Sequence, residues 1–258
     1  MPALPAAGRT RRPYNAEVRI LIVSDIHANL EALDAVLDAA ERFDPVDAVW
    51  CLGDTVGYGP EPNACIERLR ARGALSVLGN HDAGAIGRVG LDDFNVYAAE
   101  ACRWTAAQLT DDSRALLEGL SLTERRESFT LVHGTPNDPL WDYMLSYPQA
   151  NDAWYMTETT ALAVGHSHLA FVCEEGNGVL RPGPDGLRVP VGAHRLLVNP
   201  GSVGQPRDGD PRAAYAVYDD NAAVVTLARA SYDIAVTQRR MVEVGLPEPL
   251  VGRLSLGR

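Results

Sequence analysis

A chain of 258 residues, 46% hydrophobic and 22% charged, is long enough to bury a substantial core, and no apolar run in it approaches the length of a membrane span. A formal net charge of −11 argues against broad adhesion to nucleic acid or to an anionic membrane, since both need clustered Lys and Arg. The four cysteines, Cys51, Cys65, Cys102 and Cys173, contain no C-x-x-C pair, as expected of reduced structural thiols in a cytoplasmic protein.

Residues 1–16 mix prolines and basic residues without a signal-like apolar stretch, and read as a flexible N-terminal tail before a single domain over 17–258. A strand is expected over 18–24. After Asn29, apolar Leu30, Leu33, Val36, Leu37 and Ala40 fall at helical spacing, with Asn29 as the cap. A strand over 47–52, a helix over 62–72 and a strand over 74–78 continue the alternation of a layered α/β domain. Helices are expected over 92–109 and 111–117. Strands follow over 129–132, 161–164, 171–173, 195–198, 214–218 and 222–228, and a helix over 232–243 is stopped by Gly245 and Pro247.

Polar clusters stand at the ends of these strands: "SDIHAN" with Asp25 and His27, "LGDTVGYG" with Asp54, "LGNHD" with Asn80 and His81, "LVHGTP" with His133, and "VGHSH" with His166 and His168. Five of the six histidines lie in them, and only His194 stands apart, in a polar loop. Ligands of open α/β sheets gather at carboxyl ends of strands. Asp25 and His27, two residues apart in an extended segment, would point to one side. The glycines before Asp54, Asn80 and His166 would let the backbone turn each side chain inward.

Taken singly, Asp25 is also a helix cap, Asp54 and Asn80 are also turn formers, and His133 is also an interior histidine. The recurrence of one oxygen-and-nitrogen donor set at successive strand ends is what points to metal. Imidazole, carboxylate and amide oxygen without thiolate suit Mn²⁺ or Fe, with Zn²⁺ also accepted. Seven candidate ligands are too many for one closed site, and suit two divalent ions sharing a bridging carboxylate.

The ordered set D-x-H, G-D, G-N-H-D, H-G and G-H-x-H resembles the calcineurin-like metallophosphoesterase superfamily from Val18 to about Tyr215. The stretches "GDTVGYGPEPN", "HGTPNDPLWDY" and "NPGSVGQPRDGDPRAAY" are similar to its small prokaryotic phosphodiesterase-like branch. The resemblance implies a four-layer α/β/β/α sandwich with two metals at one edge of the sheets. It implies Asp25, His27 and His168 on the first metal, Asp54 as the bridge, and Asn80, His133 and His166 on the second. His81 stays free for catalysis. A metal-bridging hydroxide would attack phosphorus in line, and His81, as imidazolium, would hydrogen-bond the oxyanion or protonate the leaving alkoxide, commonly worth about 10²- to 10⁴-fold.

One departure matters. Relatives that act as Ser/Thr phosphatases or symmetrical dinucleoside tetraphosphatases carry G-D-x-x-D-R-G, whose Asp orients the catalytic His and whose Arg binds phosphate. Here those two positions hold Gly57 and Tyr58. Either Asp82 or a backbone carbonyl is then expected to orient His81, with Tyr58 beside the substrate.

Arg207 is either a phosphate clamp or an exposed loop arginine. Trp141, Tyr143, Tyr147, Trp154 and Tyr155 form either an aromatic wall for a nucleobase or aryl group, or a packing surface or homodimer contact, burial being the commoner use. The expected function is hydrolysis of a small phosphate ester, phosphodiester over monoester. Alternatives are a phosphoprotein phosphatase, which Gly57 and Tyr58 weaken, and a non-catalytic metal-binding scaffold, whose mark would be lost ligands.

Overall fold

Strand β1 (Arg19–Val23) is buried on both faces, with Ile20 and Ile22 packed on one side and Leu21 and Val23 on the other. Its period of two therefore appears in the sequence as an unbroken apolar run. The computed structural model describes residues 18–42, 44–126, 128–183 and 186–258, and the tail expected over 1–16 lies outside them.

Around β1 stand β2 (Ala48–Cys51), β3 (Leu75–Ser76), β9 (Leu187–Pro190), β11 (Ala213–Asp219) and β12 (Val224–Ala230), in the order β3-β2-β1-β11-β12-β9. A second sheet runs β4 (Thr123–Arg126), β5 (Phe129–Val132), β6 (Ala161–Ala163), β10 (Leu196–Pro200), β7 (Ala170–Glu174) and β8 (Gly178–Leu180). Within the first sheet β1, β2 and β3 are parallel, and within the second β5, β6 and β10 are parallel. Each parallel trio delivers its carboxyl ends to one edge.

The sheets face each other across one apolar layer, in which Ile20, Ile22, Trp50 and Leu52 meet Phe129, Leu131, Val172 and Val198. Trp50 packs edge-on against Phe129, with ring centroids 5.4 Å apart. Outside the first sheet, Leu33, Val36 and Leu37 of α1 (Leu30–Glu41) and Cys65 and Leu69 of α2 (Pro62–Ala71) cover Leu21, Val23 and Val49. Outside the second, Ala150, Ala153 and Trp154 of α6 (Tyr147–Tyr155) cover Val132, Leu162 and Phe171. The expected α/β/β/α sandwich is therefore the observed fold.

Around the ends of the sheets lie α3 (Asn80–Ala85), α4 (Val96–Gln108), α5 (Asp111–Glu118), α7 (Ile234–Glu243) and α8 (Glu248–Leu254). Helix α4 begins at Val96, later than the expected 92, because the Asn95 side chain accepts from the Ala98 N–H at 3.0 Å and caps it there. The strands that the sequence did not announce, β4, β8 and β9, lie at sheet edges. β4 reads Thr-Glu-Arg-Arg, and backbone pairing rather than an apolar face holds it to β5.

Asn29 joins three of these parts. Its Oδ1 accepts from the Ala32 N–H at 3.2 Å and the Thr237 hydroxyl at 2.9 Å, while its Nδ2 donates to the Gly204 carbonyl at 3.0 Å and to Tyr232 at 3.2 Å. Replacing Asn29 with Ala removes the cap of α1 and strands buried partners on α7 and the β10–β11 loop. We expect a loss of about 2–4 kcal/mol in urea-unfolding free energy with the slope unchanged.

Candidate active site

The carboxyl ends of the two parallel trios meet, and the chain leaves them through an unusual backbone. Eight non-glycine residues among those described have positive φ, and seven of them, Asp25, His27, Ala28, Asp54, Tyr58, His166 and His168, lie here. Left-handed backbone costs an ordinary residue about 1–2 kcal/mol, so the concentration marks a site held against local preference. Asp25 and His27 are thus presented by left-handed turns and not by the extended segment expected from their spacing. Of the three glycines expected to supply turns, only Gly53 has positive φ. Gly79 and Gly165 are required for space instead, because a Cβ there would run into Asp54 and the Ser24 hydroxyl.

All seven predicted metal ligands are buried and converge. His27 Nε2 lies 3.1 Å from His168 Nε2, and His133 Nε2 lies 3.1 Å from both His166 Nδ1 and Asn80 Oδ1. Asp25 Oδ1 is 3.3 Å from His168 Nε2, and Asp54 Oδ2 stands between His133 Nε2 at 3.4 Å and His27 Nε2 at 3.7 Å. Asp25, His27 and His168 form one tight group of donor atoms, Asp54, His133 and His166 form another, and Asp54 also groups with His27 and His81. That is the arrangement of two centres with a shared carboxylate.

The donor chemistry fits divalent cations. The second nitrogen of each imidazole meets a backbone carbonyl: His27 Nδ1 with Val56 at 3.2 Å, His133 Nδ1 with Leu52 at 2.8 Å, His168 Nδ1 with Gln205 at 2.5 Å, and His166 Nε2 with Trp141 at 3.2 Å. An N–H donated to each carbonyl turns the other ring nitrogen inward to the cluster, where it is a lone-pair donor once any proton on it is displaced. Asp25 Oδ1 and Asp54 Oδ2 are buried without a hydrogen-bond partner. Two nitrogens about 3 Å apart are spaced as ligands at about 2.1 Å from one ion.

Without a cation the site is electrostatically frustrated. Burial raises the Asp25 carboxyl to about 7 against the pull of His133. Burial would raise Asp54 too, but the neighbouring His133, with His81 and His27, holds it well below the usual carboxylate range. Burial opposes charge on His133, and the Asp54 carboxylate outweighs it, raising this imidazole to about 9. Burial drives His27 and His168 well down, and His166 to about 3.

His81 stands apart from that ligand set. Its backbone N–H donates to Asp54 Oδ1 at 2.8 Å, and its ring is packed by Tyr58, Phe94 and His27 at centroid distances of 4.3, 4.9 and 4.9 Å. Two expectations are corrected. Asp82 does not orient the ring: its carboxylate accepts from the Val56 N–H at 3.0 Å and the Gly79 N–H at 3.2 Å, tying the Asp54 loop to the start of α3. Nor does a carbonyl among the described residues, since His81 Nδ1 is buried without a partner there. Aromatic packing does. Burial also lowers His81 to about 4, so it is neutral near pH 7 and not an imidazolium.

Gly57 has φ +88, and a Cβ on it would lie 2.5 Å from His81 Nδ1. The place of the related motif's Asp is filled by the histidine ring.

A cavity of about 140 Å³ opens over the cluster, lined by Asp54, Asn80, His81, His166 and His168 together with Tyr58, Arg207, Asp93, Phe94, Asn95, Trp141 and Tyr143. The aromatic stretch therefore divides. Tyr143 stacks on His166 at 4.1 Å, and Trp141 meets Phe94 edge-on at 5.1 Å. Trp154 and Tyr147 belong to the core under α6, and Tyr155 is exposed on the surface. Sequence reasoning missed Phe94, Asp93 and Asn95. They precede α4 as an ordinary capping segment, and nothing local distinguishes them.

Comparison with known proteins agrees with this geometry. Residues 18–222 match the calcineurin-like phosphoesterase superfamily domain. An uncharacterised protein of Methanocaldococcus jannaschii is 40% identical over 245 residues, which cover 93% of this chain and 98% of that one. The crystal structure of a metallophosphoesterase from Sphaerobacter thermophilus is 43% identical with a TM-score of 0.86, covering 94% of this chain and all of that one. A hypothetical protein from Pyrococcus horikoshii shares the fold at 19% identity and a TM-score of 0.77, over 93% of this chain and 99% of that one.

Protons on Asp25 and His133 compete with any cation for the same atoms. Mn²⁺ binding should therefore release protons, and its apparent affinity should rise as pH increases through about 7 and then about 9. Calorimetric titration in buffers of different ionisation enthalpy measures both. Asp54→Ala, which removes the shared carboxylate, should bind fewer than two ions per chain by elemental analysis.

Proposed function

This chain belongs to the calcineurin-like phosphoesterase superfamily and is a phosphoric ester hydrolase, and on that footing we propose that its substrate is a small phosphodiester, cleaved in preference to a monoester. The observation that carries this reading is the mouth of the cavity. A volume of about 140 Å³ is well below the roughly 300 Å³ at which pockets begin to enclose a whole ligand, so the phosphoryl group enters and the ester arms lie outside. Among the described residues Arg207 is the one guanidinium lining it, and the Asp93 carboxylate lines it too. That balance favours a diester with one negative charge over a monoester carrying about 1.5 to 2.

In this reading Asp25, His27 and His168 would hold one ion, Asn80, His133 and His166 would hold the other, and Asp54 would serve both. Oxygen and imidazole donors without thiolate favour Mn²⁺, and they also accept Fe or Zn²⁺. Bound there, two divalent ions supply an activated water and neutralise charge on the phosphoryl oxygens. The backbone carbonyls of Val56, Leu52, Gln205 and Trp141 fix the imidazole tautomers, so little reorganisation accompanies binding. His81, neutral and clamped by Tyr58 and Phe94, offers one N–H at the cavity to a phosphoryl or leaving-group oxygen. Phe94, Trp141 and Tyr143 offer a platform for an aryl or nucleobase arm of a small phosphorylated substrate.

No helix among the described residues is long and apolar enough to cross a membrane. All four cysteines are free and buried, which supports a reducing, cytoplasmic setting.

Bis-p-nitrophenyl phosphate and p-nitrophenyl phosphate, offered to protein stripped of metal and reloaded with Mn²⁺, test the reading directly. We expect Mn²⁺ to restore cleavage, the diester to react faster, and His81→Ala to lower turnover by about 10² or more while retaining two ions. Faster monoester cleavage would overturn the substrate assignment. Full activity of His81→Ala would remove that residue from the mechanism.

A further inference from the structure

Arg207 brings a charge to the cavity that no carboxylate among the described residues meets. Other arginines meet carboxylates: Arg68 with Asp34, Arg72 with Glu41, Arg212 with Asp210, Arg229 with Asp208, and Arg240 with Glu31 and Glu61. Arg207 is half-buried and forms no such pair among the described residues. Its Nη2 donates to Gln205 Oε1 at 3.2 Å and to Tyr58 Oη at 3.4 Å, both neutral, and its Nε is buried without a partner. A guanidinium carries five N–H donors, and one partly removed from water with its donors unmet is poorly stabilised unless an anion comes to it.

The guanidinium is also built into the site. The Arg207 backbone N–H donates to the carbonyl of His168 at 3.3 Å, and His168 Nδ1 meets the carbonyl of Gln205 at 2.5 Å, so the loop after β10 is laced to a candidate ligand. Tyr58, in the left-handed region at φ 58°, places its ring 4.3 Å from His81 and 4.6 Å from His27. The guanidinium carbon sits 6.0 Å from the centre of that ring. Because the Tyr58 oxygen accepts from Arg207, its own O–H remains to be donated. Both side chains line the cavity above the cluster.

We propose that Arg207 and Tyr58 together form an oxyanion clamp for the non-bridging oxygens of the phosphoryl group, supplied by two loops at Tyr58 and Arg207 in place of one motif arginine. The proposal rests on the phosphoester reading for its substrate, but not for its test. Arg207 binds the oxygens. Tyr58 donates a second hydrogen bond and positions the guanidinium and the His81 ring at once.

Inorganic phosphate, titrated by calorimetry into Mn²⁺-loaded protein with metal counted on each sample, is the probe. Arg207→Ala should keep both ions and weaken phosphate binding roughly 10- to 100-fold, the range of charge-assisted hydrogen bonds. Tyr58→Phe should weaken it about 3- to 10-fold. On the diester, added guanidinium ion should restore part of the turnover of Arg207→Ala and leave the unsubstituted protein unaffected, which a merely structural arginine would not give.

Unchanged phosphate affinity in Arg207→Ala, or no phosphate binding by the unsubstituted protein, overturns the clamp. Should Arg207→Ala lose metal or fold, Arg207→Gln, which keeps much of the stem, decides by the same titration. Phosphate held through Arg207 by a protein that cleaves neither ester keeps the clamp and rejects the diesterase. Brisk cleavage with an indifferent Arg207 does the reverse.

Discussion

Asp25 is where four segments are tied to one another. Its N–H donates to the Gly53 carbonyl at 3.1 Å, its carbonyl accepts from the Gly204 N–H at 3.0 Å and the Ser202 hydroxyl at 2.7 Å, and its Oδ2 accepts from the His166 N–H at 3.1 Å. Those partners come from the ends of β2, β10 and β6, so a residue at the end of one sheet's central strand is gripped by loops of both sheets. Only Oδ1 is left over, and it points to the cluster. The apolar layer behind it sets the distance between sheets, and the grip on Asp25 converts that distance into ligand geometry.

The strain at this edge follows from the same demand. Side chains of three types must reach two points from five strand ends, and ordinary extended or helical backbone would send alternate residues elsewhere. The left-handed residues re-aim them, and bonds such as His27 N–H to the Asp54 carbonyl at 2.9 Å and Ala28 N–H to the Thr55 carbonyl at 2.9 Å hold the turns in place. The protein thus carries buried, unpaired carboxylate oxygens and closely facing imidazole nitrogens that a core optimised for stability alone would avoid.

Much of this was legible in the sequence, for identifiable reasons. Strands buried on both faces, such as β1, β2 and β5, advertise themselves as apolar runs, and the ligands follow them at short, fixed offsets. Helix α1 is announced by its cap and its periodicity. Edge strands β4, β8 and β9 carry no such signal, because pairing along one side asks little of their side chains. Helix α3 stayed hidden because it opens on the functional residues Asn80, His81 and Asp82, whose polarity masks any helical pattern. The arrangement around His81 was least legible. Asp82 is its sequence neighbour, yet its carboxylate turns to backbone, while Phe94 and Tyr58 arrive from loops that only the fold brings near. Arg207 is similar: its motif placed it in a loop, and only packing shows that no carboxylate meets it.

Gly57 decides how the histidine at this site can be held. Restoring the related motif's aspartate there would set a side chain against the His81 ring, on a left-handed backbone that suits glycine. The two ways of holding the histidine, by a carboxylate or by aromatic rings, therefore exclude each other in space. An aspartate at position 57 could therefore orient His81 only if the ring first left its place between Tyr58 and Phe94.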